Sequence, residues 1–355
     1  MVLVLRNEEM EGLITMDETI AAMEGAFIEH GRKIAVNRPR QRIYLPREDK
    51  DTYYMFNVLP GSVPACGTTG LRIDSFNIRF VEKDGKTRHE CPGDFAGLVF
   101  LFDIATCQLK AILHDHFLSI MRVGATTGVA TKYMAREDAR VVGIFGSGEQ
   151  AKTALMAVCA VRPIERVKVF STSPEKRAEF SMRMAQALKT EVVPVESPRE
   201  VVRGSDIVIT ATNAHEPVFD GDWIEEGTHV VTMLGSDYFI RSKEIDERTV
   251  MRSGLIVVNL KEQILQDRQP ELYHPLQRGE LKWEDIFELG ELVTRQVSGR
   301  TNTREITLFN NNVGMGIQFA AIGALVLEKA RQREVGTELP DDLFTTVKGD
   351  AVYAP

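Results

Sequence analysis

The run Val141-Val142-Gly143-Ile144-Phe145-Gly146-Ser147-Gly148-Glu149-Gln150-Ala151 leaves this chain few folds to choose from. A compact apolar strand passes straight into a Gly-x-Gly-x-x-Ala turn. Apolar groups then recur at Ala151, Ala154, Leu155, Val158 and Cys159, which is one face of a helix. Gly146 permits the tight turn, Gly148 lets an anion approach the backbone, and Ala151 allows close helix–strand packing. The helix start offers free N–H groups and a positive dipole end. Strand, glycine turn and helix in this order form a dinucleotide-binding unit. Ser147, Glu149 and Gln150 belong to the same expected cofactor contact.

The rhythm continues downstream. Val167–Phe170, 191–195, 206–210, 228–233 and Leu255–Val258 read as further strands, and Pro174–Leu188 as a helix opened by proline. Most of these strands are apolar nearly throughout, as strands covered on both faces are. Alternating strands and helices predict a parallel sheet. An NAD site usually ends its second strand with an acid for the ribose hydroxyls. Here the sequence is Phe170-Ser171-Thr172-Ser173-Pro174-Glu175-Lys176-Arg177. Small hydroxyls followed by cations suit a 2′-phosphate, so NADP(H) is favoured, with NAD(H) possible. Ser171, Thr172, Ser173 and Arg177 are the expected contacts. On a bare reading, Lys176 and Arg177 are a solvated helix face.

The N-terminal part has a different texture. Thr15 and Glu18 have capping-box spacing, Ile20, Met23 and Phe27 recur on one helical face, and Gly31 is a candidate C-cap. Short β-like runs follow at 53–59, 70–76, 97–103 and 109–113, with Pro60-Gly61 and Asp84-Gly85 as turns. They predict an antiparallel sheet. A small-residue helix is expected from Gly124 to Ala135, and another from Met315 to Ala330 that folds back onto the N-terminal segment.

Composition excludes several classes. The net charge is −8, which gives no footprint for nucleic acid. No apolar run approaches the roughly 20 residues that span a bilayer. Cys66, Cys91, Cys107 and Cys159 are scattered, which suits reduced thiols and a cytoplasmic protein. The first residues are too short for a secretory signal. His114-Asp115-His116 would share a strand face, but no third ligand stands nearby, so no metal is expected.

Arg122, Arg72 and Asp237 attract notice as charges near small-residue or apolar segments. With Pro39-Arg40, Leu59-Pro60, the cofactor turn, Thr210-Ala211-Thr212, Trp223 ahead of Gly227, Gly235-Ser236-Asp237, Glu288-Leu289-Gly290-Glu291-Leu292, Gly299-Arg300 and Ile306-Thr307-Leu308-Phe309, the chain resembles the ornithine cyclodeaminase/mu-crystallin family. The resemblance covers nearly the whole chain. It implies hydride exchange between a nicotinamide and the α-carbon of an amino or imino acid. It implies that Arg122 clamps the substrate carboxylate, that Arg40 and Arg72 assist, and that Asp237 handles the nitrogen. A bidentate arginine fork suits a carboxylate. Ala211, Thr212, Asn213, Gly235 and Ser236 join the cofactor contacts.

Departures from the family pattern bear on the substrate. Arg72 stands where lysine is common, and arginine does not transfer protons in proteins. Asn57 and Leu59 replace an acid and a methionine, which weakens a diamino-acid substrate. Asn310 to Gly314 replaces the commoner Phe-Lys-Ser surroundings. Asn57, Leu59, Asn310 and Gly314 are therefore the expected side-chain pocket. An imine reductase or amino-acid dehydrogenase is favoured over a cyclodeaminase that recycles bound NAD. A catalytically silent, mu-crystallin-like NADP-binding protein is the remaining alternative.

The expected architecture is α/β. A Rossmann dinucleotide-binding domain (123–312) is inserted in a mixed α/β substrate-binding and dimerisation domain (1–122), to which a C-terminal helix (313–355) returns. The resemblance adds a homodimer.

Overall fold

The computed structural model describes residues 1–83, 85–233 and 235–346. Asp84 of the expected turn, Leu234 ahead of Gly235, and the end of the C-terminal segment lie outside the described residues.

The chain is α/β and forms two sheets. The parallel sheet runs in the order Glu191–Pro194, Arg166–Phe170, Val141–Phe145, Ile207–Thr210, His229–Thr232, Thr307–Asn310, Leu255–Val258, Ile286–Glu288. The strand carrying the cofactor turn is thus central, flanked in parallel register on both sides. Its inner strands are buried on both faces, as their apolar runs require, while the strands toward its edges expose charged residues.

The other sheet runs Thr337–Leu339, Val2–Leu5, Leu109–His114, Ala96–Asp103, Thr68–Lys83, Thr52–Val63, Val36–Asn37. Gln41–Pro46 adds to one of its strands and Lys86–Glu90 to another. The four central strands are antiparallel and longer than their apolar runs suggest. Pro60-Gly61 is not a turn but lies inside Thr52–Val63. The neighbouring chain changes there: Gln41–Pro46 pairs with residues up to Val58, and Val36–Asn37 takes over at Gly61. The missing N–H of Pro60 falls in that gap, where no ladder bond is broken.

Glycines let the helices approach closely. The helix Gly316–Gln332 packs across this sheet, and a Cβ on Gly61 would stand 2.3 Å from the Ile317 nitrogen. Thr15 and Glu18 do form a capping box for Met16–Gly31. Gly31 is inside that helix, whose cap is Arg32. Its lack of a side chain serves packing, because a Cβ would stand 2.1 Å from the Gly290 carbonyl oxygen.

The small-residue helix begins nine positions early, at Asp115, and runs to Met134. His114 ends a strand and His116 is helical, so the two histidines do not share a strand face. The helix packs on Glu149–Val161, with Gly124 against Thr153. It runs unbroken through position 122, so both sheets share one buried helix rather than meeting at a linker. Arg162 closes the end of that helix by donating to the carbonyls of Thr131, Lys132 and Ala135.

Gly61→Ala is expected to lower stability by about 1–3 kcal/mol, because the helix start must shift to admit the methyl group. A thermal melt checks it. An unchanged midpoint would mean that the close crossing is not required.

Candidate active site

The cofactor turn shows why each glycine is there. Gly146 has φ 109°, and a Cβ would stand 2.2 Å from the Ala211 carbonyl oxygen. Gly148 has an ordinary extended backbone, and a Cβ there would meet nothing within 4 Å. Its bareness keeps space open above an uncapped helix start, where an anion can reach free N–H groups. Ser147 donates from Oγ to Ser171 Oγ at 3.2 Å, joining the turn to the next strand end. Gly146, Ser147, Gly148, Ser171, Thr172, Ala211, Thr212 and Asn213 line one cavity of about 1160 Å³. These residues fit a dinucleotide.

A second cavity, of about 230 Å³, opens beside it and shares Ala211 and Thr212. Arg40, Arg122, Gln150, Gly235 and Gly314 line it. Arg40 is buried and donates to Asp267 at 2.5 Å and to the Ser236 carbonyl oxygen at 3.4 Å. Burial, with Arg42 nearby, lowers its pKa to about 10. Arg122 differs. Its Nη1 donates to Gln318 Oε1 at 3.2 Å, and its guanidinium lies 5.1 Å from the Phe319 ring centre. Among the described residues no carboxylate lies within ion-pair distance of it, and its Nε has no partner. Burial, then the charge of Arg72, pushes its pKa down to about 9, so it stays cationic at neutral pH. Gly314 is bare where a Cβ would stand 2.9 Å from the Arg122 Nη2.

Arg72 stands in a third space of about 470 Å³, with Glu149 and Gln150 on its wall. It pairs with Asp115 at 2.5 Å and with Asp74, and lies 5.6 Å from the same Phe319 ring. Burial opposes its charge, but Asp115 and Asp74 outweigh that and raise its pKa. Arg72 is therefore already neutralised in a way that Arg122 is not.

Other expected residues lie elsewhere. Asp237 is fully buried and lines none of the three spaces. Its Oδ1 accepts from the Phe239 and Ile240 amides at 2.8 and 2.5 Å. Its Oδ2 accepts from Arg42 and from the Tyr44 hydroxyl. Burial raises its pKa, but Arg42 and Tyr44 overcome this and hold it low. Asn57 accepts from Arg42 Nε at 2.7 Å. Leu59 packs in the main core. Asn310 donates to Glu271 at 3.0 Å, and Ser236 reaches the site only through its carbonyl oxygen. None of these four lines the arginine cavity.

Arg177 does not face the cofactor cavity. Its side chain is 5% exposed, donates to Glu196 at 2.8 Å and lies over Phe170. Ser173 is the N-cap of the helix Pro174–Leu188. Residues of a helical first turn point back along the helix, so closeness in sequence to the strand end did not place them in the cleft.

Glu244 was not foreseen. It accepts from Thr210 Oγ1, Thr212 N and Oγ1, and Thr232 Oγ1, at 2.6–3.0 Å. One buried carboxylate thus knits two strand ends into the wall shared by all three spaces. Glu271 lies behind it, accepting from the Glu244 amide, and burial raises its pKa to about 7. Arg42, Tyr44, Arg88 and Arg241 were also missed. Among the described residues no group of three histidine, cysteine or acidic side chains could hold a metal. The four cysteines are free thiols.

A model of the ornithine cyclodeaminase/mu-crystallin family matches residues 2–334. Delta(1)-pyrroline-2-carboxylate reductase of Bacillus cereus is 29% identical over 338 residues, covering 95% of this chain and 99% of the relative. The structure of Thermococcus litoralis Delta(1)-pyrroline-2-carboxylate reductase in complex with NADH and L-proline is 35% identical, with TM-score 0.83, covering 95% of this chain and 100% of that one. An archaeal alanine dehydrogenase dimer with bound NAD is 26% identical, with TM-score 0.81, covering 96% and 99%.

Gly146→Ala should cost stability by about 1–3 kcal/mol through backbone strain. Gly148→Val should leave the melting temperature nearly unchanged yet weaken binding of a nicotinamide dinucleotide. Paired melts and fluorescence titrations check this, and equal effects on both properties would contradict it.

Proposed function

The chain belongs to the ornithine cyclodeaminase/mu-crystallin family, and on that premise we propose that it reduces a small 2-imino acid with a nicotinamide dinucleotide, or runs the reverse amino-acid dehydrogenation. The observation that carries this reading is Arg122: a cation with no acid partner, lining a cavity that borders the cofactor turn. When bound, a reduced nicotinamide supplies a hydride to the carbon of a C=N bond. Gly146, Ser147, Gly148, Ser171, Thr172, Ala211, Thr212 and Asn213 would hold the cofactor.

Arg122 grips the substrate carboxylate, and Arg40, paired with Asp267, forms part of the same cavity wall. Phe319 supports the Arg122 fork from one side, and the bare Gly314 leaves it room. Gln150 brings the helix start of the cofactor turn into the cavity wall. Asp237 acts through others: it fixes Arg42 and Tyr44, and its charge helps to keep Arg40 protonated. Support also comes from the relatives named as reductases of pyrroline-2-carboxylate. NADP(H) is the favoured cofactor in this reading.

The outer face of the antiparallel sheet supports a homodimer. Phe56, Val58, Leu71, Ile73, Leu98, Phe100, Phe102 and Ile112 are half-buried, and the strand registers put them on one face. A continuous apolar face of this kind calls for a partner surface, and a second copy offers the same face. No helix among the described residues is long and apolar enough to cross a membrane.

Mixing the protein with NADPH or NADH and a panel of cyclic imino acids, or of keto acids with ammonia or methylamine, should oxidise the reduced cofactor. No oxidation across the panel would leave a silent binding protein. Ammonia and proline released from ornithine without net cofactor change would point to the cyclodeaminase instead. Arg122→Ala should lower kcat/KM for the acid substrate roughly tenfold to a hundredfold, the worth of a charged hydrogen bond, and unchanged activity would remove the clamp. Light scattering should report a dimer that Phe100→Asp converts to monomers. A monomeric wild type would refute the dimer.

A further inference from the structure

With Arg177 turned away, a different pair of cations faces the cofactor cavity. Arg88 and Arg241 line it together with Ser171 and Thr172. Among the described residues neither has a carboxylate within ion-pair distance. Glu216 is also on the wall, so among the described lining residues the two arginines outnumber the acid by one.

The two arginines come from different parts of the fold. Arg88 sits on Lys86–Glu90, the outer strand of a hairpin in the antiparallel sheet. Arg241 follows the Asp237 turn on the side of the parallel sheet. Two contacts bring them together. His89 Nδ1 lies 3.1 Å from His215 Nε2, which docks the hairpin on the loop after Ile207–Thr210. Burial lowers the pKa of both histidines, so at neutral pH this contact joins neutral rings. Beneath it, Phe239 packs against Tyr53 and Phe80 with ring centres 4.7 and 5.3 Å apart. The hairpin is therefore held against the cleft before any ligand arrives.

We propose that Arg88 and Arg241 grip the phosphate on the adenosine ribose, so that NADP(H) is selected by a hairpin of the neighbouring sheet and not by the helix after the second strand. Ser171 and Thr172 supply neutral donors at the strand end, which leaves the charge to be met from across the cavity. Fork-shaped guanidinium groups suit a phosphate. This inference rests on the reading of the cavity as a dinucleotide site.

Calorimetry on the full chain with two fragments tests it without turnover. Adenosine 2′,5′-bisphosphate should bind wild type roughly tenfold to a hundredfold more tightly than adenosine 5′-monophosphate, as one or two charged hydrogen bonds allow. Arg88→Ala/Arg241→Ala should lose that preference and keep the affinity for the monophosphate. Arg177→Gln, its fold checked by circular dichroism, should retain the preference. The proposal is overturned if the double variant still discriminates, if Arg177→Gln does not, or if wild type binds both fragments equally. In each of those cases binding of the monophosphate preserves the dinucleotide reading. Failure of NADH, NADPH and both fragments to bind would defeat that reading and the proposal together.

Discussion

A cation held inside a protein without an acid beside it is costly, and the surroundings of Arg122 reduce that cost without cancelling its charge. The Phe319 ring meets the guanidinium through its face, and Gln318 offers a neutral oxygen. Both come from the helix Gly316–Gln332, which reaches this position only because Gly61 and Gly316 let it cross the sheet at backbone contact. Arg122 itself rides on Asp115–Met134, which is locked to the cofactor helix where Gly124 meets Thr153. One side chain thus depends on both sheets and on a chain of small residues. Desolvation holds its pKa near 9, leaving it charged and short of one anion.

Its neighbours sharpen the contrast. Arg40 has Asp267, Arg42 has Asp237, and Arg72 has Asp74 and Asp115. A buried ion pair satisfied within the protein has little left to offer a ligand. Among the described residues four arginines meet four aspartates here, yet Arg122 alone has no acid within ion-pair distance, so it is the position left open to an anion. Glu244 completes the frame, since its three bonds to Thr210 and Thr212 and one to Thr232 fix the wall between the cofactor space and the arginine cavity.

What was legible in the sequence was mostly local. The strand, glycine turn and helix at 141–151 carry their own instructions in adjacent residues, and they fold as read. The long helix began earlier than expected because Asp115 and His116 are poor signs of a buried helix. Asp115 is buried with Arg72, 43 positions away, paired to one oxygen and Ser119 donating to the other. Arg177 was placed toward the cleft by its closeness in sequence to the strand end, while Glu196, 19 positions further on, holds it away. Asp237 looked like a substrate contact, while its bonds to Arg42 and Tyr44 come from a strand 193–195 positions earlier. Glu244 and Arg88 lie in segments with no motif, and only the folded sheets bring them to the cleft. The misses share a cause: each depends on a partner distant in the chain.

On the proposed function, the open position beside Arg122 is reserved for a carboxylate. The most direct measurement compares pyrrole-2-carboxylate with pyrrole-2-carboxamide, two planar rings of nearly the same shape, by calorimetry on the protein saturated with NADPH. The acid should bind roughly tenfold to a hundredfold more tightly than the amide, the range expected of a charged hydrogen bond, and Arg122→Ala should erase the difference. Equal binding of acid and amide by the wild type would contradict the account.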